Sequence, residues 1–218
     1  NPSAILEDAG SQTINLAGIG DGDADVTQSL TVTATSSNTS LIPNPTVTYT
    51  SDNATGSLAY TPVSDINGTA VITVTVTDNG GTANSGVNAK SITFTVTVTA
   101  VNDEPSFTKG SDITVLEDSG SSTTTGWATS ISNGPSNESS QSVTFTVSND
   151  NNSLFSSQPA ISSSGNLTFT PASNANGTTT ATVSLSDSGG TDDGGDDTFA
   201  NQTFIITVTA VNDEPIAN

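Results

Sequence analysis

The sequence holds no cysteine, no histidine and only two basic residues, Lys90 and Lys109. Without cysteine there can be no disulfide and no thiolate metal site. Without histidine or cysteine, and with almost no cations, no conventional nucleophile–base pair or oxyanion clamp can be assembled, so catalysis is not expected. Paired carboxylates could in principle hydrolyse a glycoside, but that chemistry also needs a cleft, and short-looped β-sandwiches offer none obvious. Two cations cannot neutralise a run of phosphates, which excludes nucleic acid, and the same shortage excludes an anionic membrane surface. No apolar run reaches the roughly 18 residues needed to span a bilayer, so direct membrane insertion is not expected. The opening residues, NPSAILED, carry no signal-peptide pattern, and the chain is expected to be a piece of something longer.

What is abundant is negative charge. Twenty-two acidic residues against two basic ones leave a formal net charge of −20 on 218 residues. Such a charge repels itself and destabilises a compact state unless counter-ions relieve it. Hydrophobic residues make up 31%, so the cores must be modest. A secreted chain with modest cores and no disulfides needs another staple, and Ca2+ is the obvious oxygen-ligated candidate.

The chain repeats itself. TVTAVNDEP ends at Pro105 and recurs 110 residues later, ending at Pro215. ILEDAG at Ile5 matches VLEDSG at Val115 with the same offset. The block from Leu58, LAYTPVSDINGTAVITVTVTDNGGT, matches LTFTPASNANGTTTATVSLSDSGGT from Leu167. Three domain segments follow: a first module over 1–103, a second over 104–213, and the start of a next linker at 214–218. Asn1 aligns with Ser111, so the first module is expected to begin partway through its first strand, with another VNDxP-like linker before it.

Each module reads as seven short strands. Ile72, Val74 and Val76 alternate with Thr73, Thr75 and Thr77, and Ile92, Phe94, Val96 and Val98 alternate with Thr93, Thr95, Thr97 and Thr99, giving in each case a core face backed by a solvent face. Gly-, Asn- and Asp-rich turns separate the strands, and no segment has helical periodicity. The fold class predicted is all-β: two tandem seven-stranded Greek-key sandwiches joined end to end. Trp127, the only tryptophan, falls on the second strand and is expected in the core, not on a sugar-binding surface. The threonine ladders read as solvent faces of strands.

The VNDEP linker, the LED near the first strand and the L-x-Y/F-T-P…NGT…D-x-G-G block resemble bacterial cadherin-like, immunoglobulin-like tandem repeats of large surface adhesins. The resemblance implies calcium at the module junctions. It carries ligand roles to Asn102 and Asp103 in the first linker and to Asn212 and Asp213 in the second. It carries them also to Glu7 and Glu117 near the first strands, to Asp21 and Asp23 (with Asp25 beside them) in a D-x-D loop, and to Asp78 and Asp187 at the end of the sixth strands. Asp65 lies in the loop where the family's D-R-E motif is missing, with Asn174 as its counterpart. The acid that normally opens the linker is also missing, Ala100 standing near its place. The second module has lost the D-x-D and reads SISNGPSNESS there, while its last hairpin loop carries TDDGGDD. Asp192 and Asp193, with Asp196 and Asp197, either supply the missing carboxylates or form a solvated acidic loop.

The function expected is a calcium-stiffened extender repeat of a bacterial cell-surface adhesin, extracellular and monomeric, whose first partners are the neighbouring repeats of the same chain. The alternative is a calcium-dependent doublet that itself binds a polysaccharide or another cell-surface protein. Homophilic contact between doublets is a third possibility.

Overall fold

The computed structural model describes residues 1–23 and 27–215, and within it the chain divides into two compact units, Asn1–Val101 and Asn102–Asn218. Asp25, named above beside the D-x-D loop, lies outside the described residues. Both units are β-sandwiches.

Unit 1 contains β1 (Ile5–Leu6), β2 (Gln12–Ala17), β3 (Leu30–Ser36), β4 (Thr46–Thr48), β5 (Thr55–Tyr60), β6 (Gly68–Asp78) and β7 (Ala89–Thr99). They form one sheet in the order β1-β7-β6-β3 and a second in the order β2-β5-β4. All pairs are antiparallel except β1 with β7, which run parallel from Ile5 opposite Val98. Period-two alternation sends Val32, Ile72, Val74, Val96 and Val98 inward from the first sheet, against Leu58 and Tyr60 of the second. Each such side chain stabilises the fold by roughly 1.5–3 kcal/mol when fully buried.

One expectation fails on β7. Its alternation places Ile92 on the core face with Phe94, Val96 and Val98, yet Ile92 is 59% exposed. At that end of the unit the two sheets stand apart around an open groove that Ile92 borders, so the inward direction there does not lead to a covered core.

Unit 2 contains β8 (Ser106–Thr108), β9 (Ile113–Leu116), β10 (Ser122–Thr124), β11 (Thr129–Ser132), β12 (Thr144–Asn149), β13 (Phe155–Ile161), β14 (Leu167–Pro171), β15 (Gly177–Ser186) and β16 (Thr198–Thr209). The sheets are β12-β15-β16-β9 and β10-β14-β13, with β11-β8 as a separate pair. Where seven strands are expected, unit 2 breaks the first two into two segments each. Its first strand leaves β11 after Thr108 and joins β16 in parallel at Ile113. The chain passes Trp127 closely on the way: a Cβ on Gly110 would come within 2.5 Å of the Trp127 carbonyl oxygen, so only glycine fits.

The core of unit 2 is the more aromatic. Trp127 is buried 4.4 Å from the Phe204 ring and donates its indole N–H to the Ser111 carbonyl at 2.9 Å. Phe107 on β8 meets Phe145 and Phe199 edge-on at 5.1 and 5.4 Å.

The loop before the long central strand repeats in backbone as well as in sequence. Asp65 and Asn174 both take left-handed conformations, with φ of 60° and 55°. Gly68 and Gly177 follow with φ of 138° and 139°, a region that favours glycine. Aspartate and asparagine are the non-glycine residues that best tolerate left-handed backbone, which explains why either acid or amide stands here.

Candidate functional site

The first two residues of unit 2 organise its linker end. The Asn102 amide donates to the Asp187 carboxylate at 3.0 Å and to the Asp196 carbonyl at 2.8 Å, and its oxygen accepts from the Gln141 amide at 2.7 Å. Its backbone carbonyl accepts the Asp196 N–H at 2.9 Å. Gly189 and Gly195 press against Asn102 so closely that a Cβ at either would collide with it. The next residue, Asp103, donates its N–H to Glu138 Oε1 at 2.9 Å. These bonds explain why the division between units falls before Asn102.

Glu138 was not among the residues expected to act. It ends a single 3-10 turn, Ser136–Glu138, inside the stretch where the D-x-D motif is missing, and it is only 5% exposed. Asn133 fixes the turn by donating to the Glu138 and Gln141 carbonyls at 2.7 and 2.9 Å. Gly134, at φ 122°, leaves room for Glu138 Oε2, where any side chain would clash. Consecutive linker residues thus hold two carboxylates from distant loops, Asp187 and Glu138. Asp187 Oδ1 also accepts the Gly189 N–H at 2.7 Å, while Oδ2 is buried with no hydrogen-bond partner. A buried carboxylate oxygen without a donor is costly, and a cation relieves that cost.

The TDDGGDD loop takes a different part from the one its charge suggests. It reaches Asn102 through the backbone of Asp196, whose carboxylate caps Thr198 at 3.1 Å. Asp192 and Asp193 lie exposed in a 3-10 turn, Asp192–Gly194.

A second acidic group forms at the opposite end of unit 2. Glu117, Asp118 and Asp213 each place a carboxylate oxygen within 4.8 Å of the others. Glu117 is 4% exposed, accepts the Val211 N–H at 2.8 Å and the Asn176 amide at 3.2 Å, and is anchored where β9 ends beside β16. Asn174 donates its N–H to Asp118 at 3.4 Å. Asp118 was also not singled out, although both copies carry an aspartate after the LED glutamate. The Asn212 amide donates to the Asp213 carbonyl at 3.1 Å. Oxygens bound to one Ca2+ at about 2.3–2.6 Å stand up to about 5 Å apart, so this group fits that ion, and the all-oxygen donor set suits it over softer metals.

In unit 1 the matching glutamate, Glu7, is 0% exposed and accepts the Val101 N–H at 2.9 Å. Asp65 is half-buried in its left-handed turn. Asp21 folds the far loop by accepting the N–H groups of Asp23 at 3.3 Å and Gln28 at 2.9 Å. The Gln28 amide meets the Asp23 carboxylate, and Asp78 accepts the Gly80 N–H at 2.8 Å. Among the described residues, these three do not form a cluster like that of Glu117, Asp118 and Asp213.

No protein-family model matches the chain, and no curated protein matches it. Solved structures are similar to it. Domains 4 and 5 of the S-layer protein SbsC align over 89% of this chain and 75% of theirs, at 20% identity and a TM-score of 0.31. The EC1-2 fragment of human protocadherin-24 aligns over 84% and 83%, at 13% identity and a TM-score of 0.47. Drosophila N-cadherin EC1-4 aligns over 83% of this chain and 41% of its own length, at 18% identity and a TM-score of 0.42.

Proposed function

We propose that this chain is a structural repeat pair from an extracellular surface protein, an extender that calcium stiffens, and that its nearest partners are neighbouring repeats of the same chain. The carrying observation is the group Glu117–Asp118–Asp213, in which a nearly inaccessible glutamate faces two further carboxylates in a chain of net charge −20. Without a cation these groups repel, and the burial of Glu117 raises the cost of its charge. With Ca2+ they become one ligand set that ties the end of β9 to the residues after β16.

A second ligand set is drawn from Asn102, Asp103, Glu138 and Asp187, with Asn102 contributing orientation and the carboxylates charge. Asp21, Asp23 and Asp78 in unit 1 are proposed as the corresponding far-end ligands, and Glu7 and Asp65 as near-end ones. Acidic loops at both ends of each repeat suit a rod in which calcium limits flexing between repeats and so projects a distal adhesive part from a bacterial cell surface. Among the described residues no helix is long and apolar enough to cross a membrane.

Calcium titration followed by thermal melting and solution scattering tests the reading. Millimolar calcium is expected to raise the melting temperature and lengthen the particle relative to chelator. Identical melting and scattering in the two conditions would overturn it.

A further inference from the structure

The pair Asn-Gly occurs at Asn67, Asn79, Asn133 and Asn176. Glycine has no side chain to shield its backbone nitrogen, which can therefore reach the side-chain amide carbon of the asparagine before it. Such a ring closure is intramolecular and gains from proximity alone. The surroundings of the pairs differ. Asn133 is half-buried, and its amide nitrogen donates to the Glu138 and Gln141 carbonyls at 2.7 and 2.9 Å, which holds that nitrogen in place. The Asn176 amide donates to Glu117 Oε2 at 3.2 Å. Asn67 is exposed, and among the described residues no donor meets its side-chain oxygen.

Asn79 and Gly80 are placed otherwise. Both lie exposed in the loop after β6, within reach of water. Asn79 Oδ1 accepts the Ser29 N–H at 3.0 Å, from the segment that leads into β3. Gly80 donates its own N–H to Asp78 Oδ1 at 2.8 Å. A donor on the amide oxygen draws electrons from the amide carbon and stabilises the negative charge that the oxygen takes up under attack. A carboxylate on the attacking N–H sits within the roughly 2.6–3.2 Å reach of a general base. Packing also fixes the glycine, because a Cβ on Gly80 would collide with the Gln28 side-chain amide.

We propose that Asp78, Asn79 and Gly80 form a self-modifying site, at which the fold converts Asn79 to aspartate and isoaspartate with solvent water as the added reactant. The Gly80 nitrogen attacks Asn79 Cγ and gives its proton to Asp78, while the Ser29 N–H holds the charge on Oδ1. The Cγ–Nδ2 bond then breaks, Asp78 returns the proton to the leaving nitrogen, and ammonia departs from a cyclic imide. Water adds to one imide carbonyl and opens the ring. Attack at Cγ gives aspartate, and attack at the main-chain carbonyl gives isoaspartate, with the chain running through the side chain. Either product adds a carboxylate beside Asp78, next to the loop that Asp21 folds through the Gln28 N–H. Its bearing on calcium rests on the function proposed above, whereas the conversion itself does not.

Incubating the folded chain at neutral pH in chelator tests this without involving calcium. Trypsin cuts after Lys90 and Lys109, leaving Asn67 and Asn79 in one peptide and Asn133 and Asn176 in another. Fragment masses should show Asn79 converting ahead of the other three, with heavy oxygen taken up from labelled water. Enzymatic methylation of isoaspartate should mark the same residue. Asp78→Asn keeps an acceptor for the Gly80 N–H but cannot take its proton. It should slow the conversion by about tenfold or more, with the circular dichroism unchanged. In urea the four pairs should convert at similar rates, because the difference between them comes from the fold. The proposal is overturned if Asn79 stays intact or trails another pair in the folded chain. It is overturned as well if Asn79 keeps its lead in urea, or if Asp78→Asn converts as fast as the parent chain.

Discussion

The Asn102 amide donates to the Asp187 carboxylate across 85 residues of sequence at 3.0 Å, joining the first residue of unit 2 to the end of its long central strand. The same amide reaches the Asp196 carbonyl, so one side chain ties a linker, a strand end and a hairpin loop together.

Asn102→Asp should therefore separate structural from ionic roles. Aspartate cannot donate, so it takes the amide donor from the Asp196 carbonyl and from Asp187 Oδ1, which keeps only the Gly189 N–H, and adds a like charge beside them. In chelator the loss should be about 1–3 kcal/mol, read from denaturant or thermal unfolding. In calcium the loss should shrink, because the new carboxylate becomes a ligand. An equal loss in both conditions would show that the amide acts only as a structural tie.

Glu138→Gln keeps the shape and the acceptor for the Asp103 N–H but removes the charge. The fold should persist in chelator, and calcium affinity at this end should fall on the order of 10–100-fold, the range seen even for changes behind the ligands. Calorimetry checks this, and unchanged affinity would return Glu138 to a purely structural role.

Leu58 and Leu167 occupy the same place in the two repeats, and both are fully buried. Truncating either to alanine should cost about 2–5 kcal/mol. Each substitution should lower the melting of its own unit and leave the other unit's transition in place, as calorimetric scans of the two variants would display.

Asp150 supplies a pH dependence. The Thr179 hydroxyl, donating at 2.6 Å, and the Thr180 N–H, at 2.9 Å, hold its carboxyl below the ordinary aspartate value. A depressed carboxylate stabilises the fold above its unfolded pKa, about 3.9 for aspartate, and that contribution disappears as pH falls through the lower folded value. Asp150→Ala should lower the melting temperature at neutral pH and make the acid limb of the stability curve shallower. A parallel shift of the whole curve would contradict the assignment.

Much of the fold is legible in the residues alone. The alternation of Ile72, Val74 and Val76 marks the central strand, and the recurrence of VNDEP and LED marks the two copies. Trp127 is buried in the core as its apolar bulk suggests, although it lies in the bend between β10 and β11 and not on a strand. Ile92 was misread because periodicity reports direction, not cover: it points inward at an end where the sheets stand apart. The candidate sites were less legible. A motif search for D-x-D passes over SNGPSNESS, whose single acid, Glu138, gains importance only when its turn meets Asp103. Asp118 was in plain view after Glu117, but nothing local tells that both approach Asp213, almost a hundred residues on. Asp65 and Asn174 share a left-handed backbone that the sequence alone does not reveal, because aspartate and asparagine both tolerate that conformation.

The amino-acid sequence by itself determined the class of structure, the repeat, and the chemistry open to it. Composition excludes cationic and thiol chemistry, and a period of two admits strands but not helices. Tertiary structure alone decided which acids share a site, because convergence of loops from strands far apart in the chain depends on sheet pairing and register.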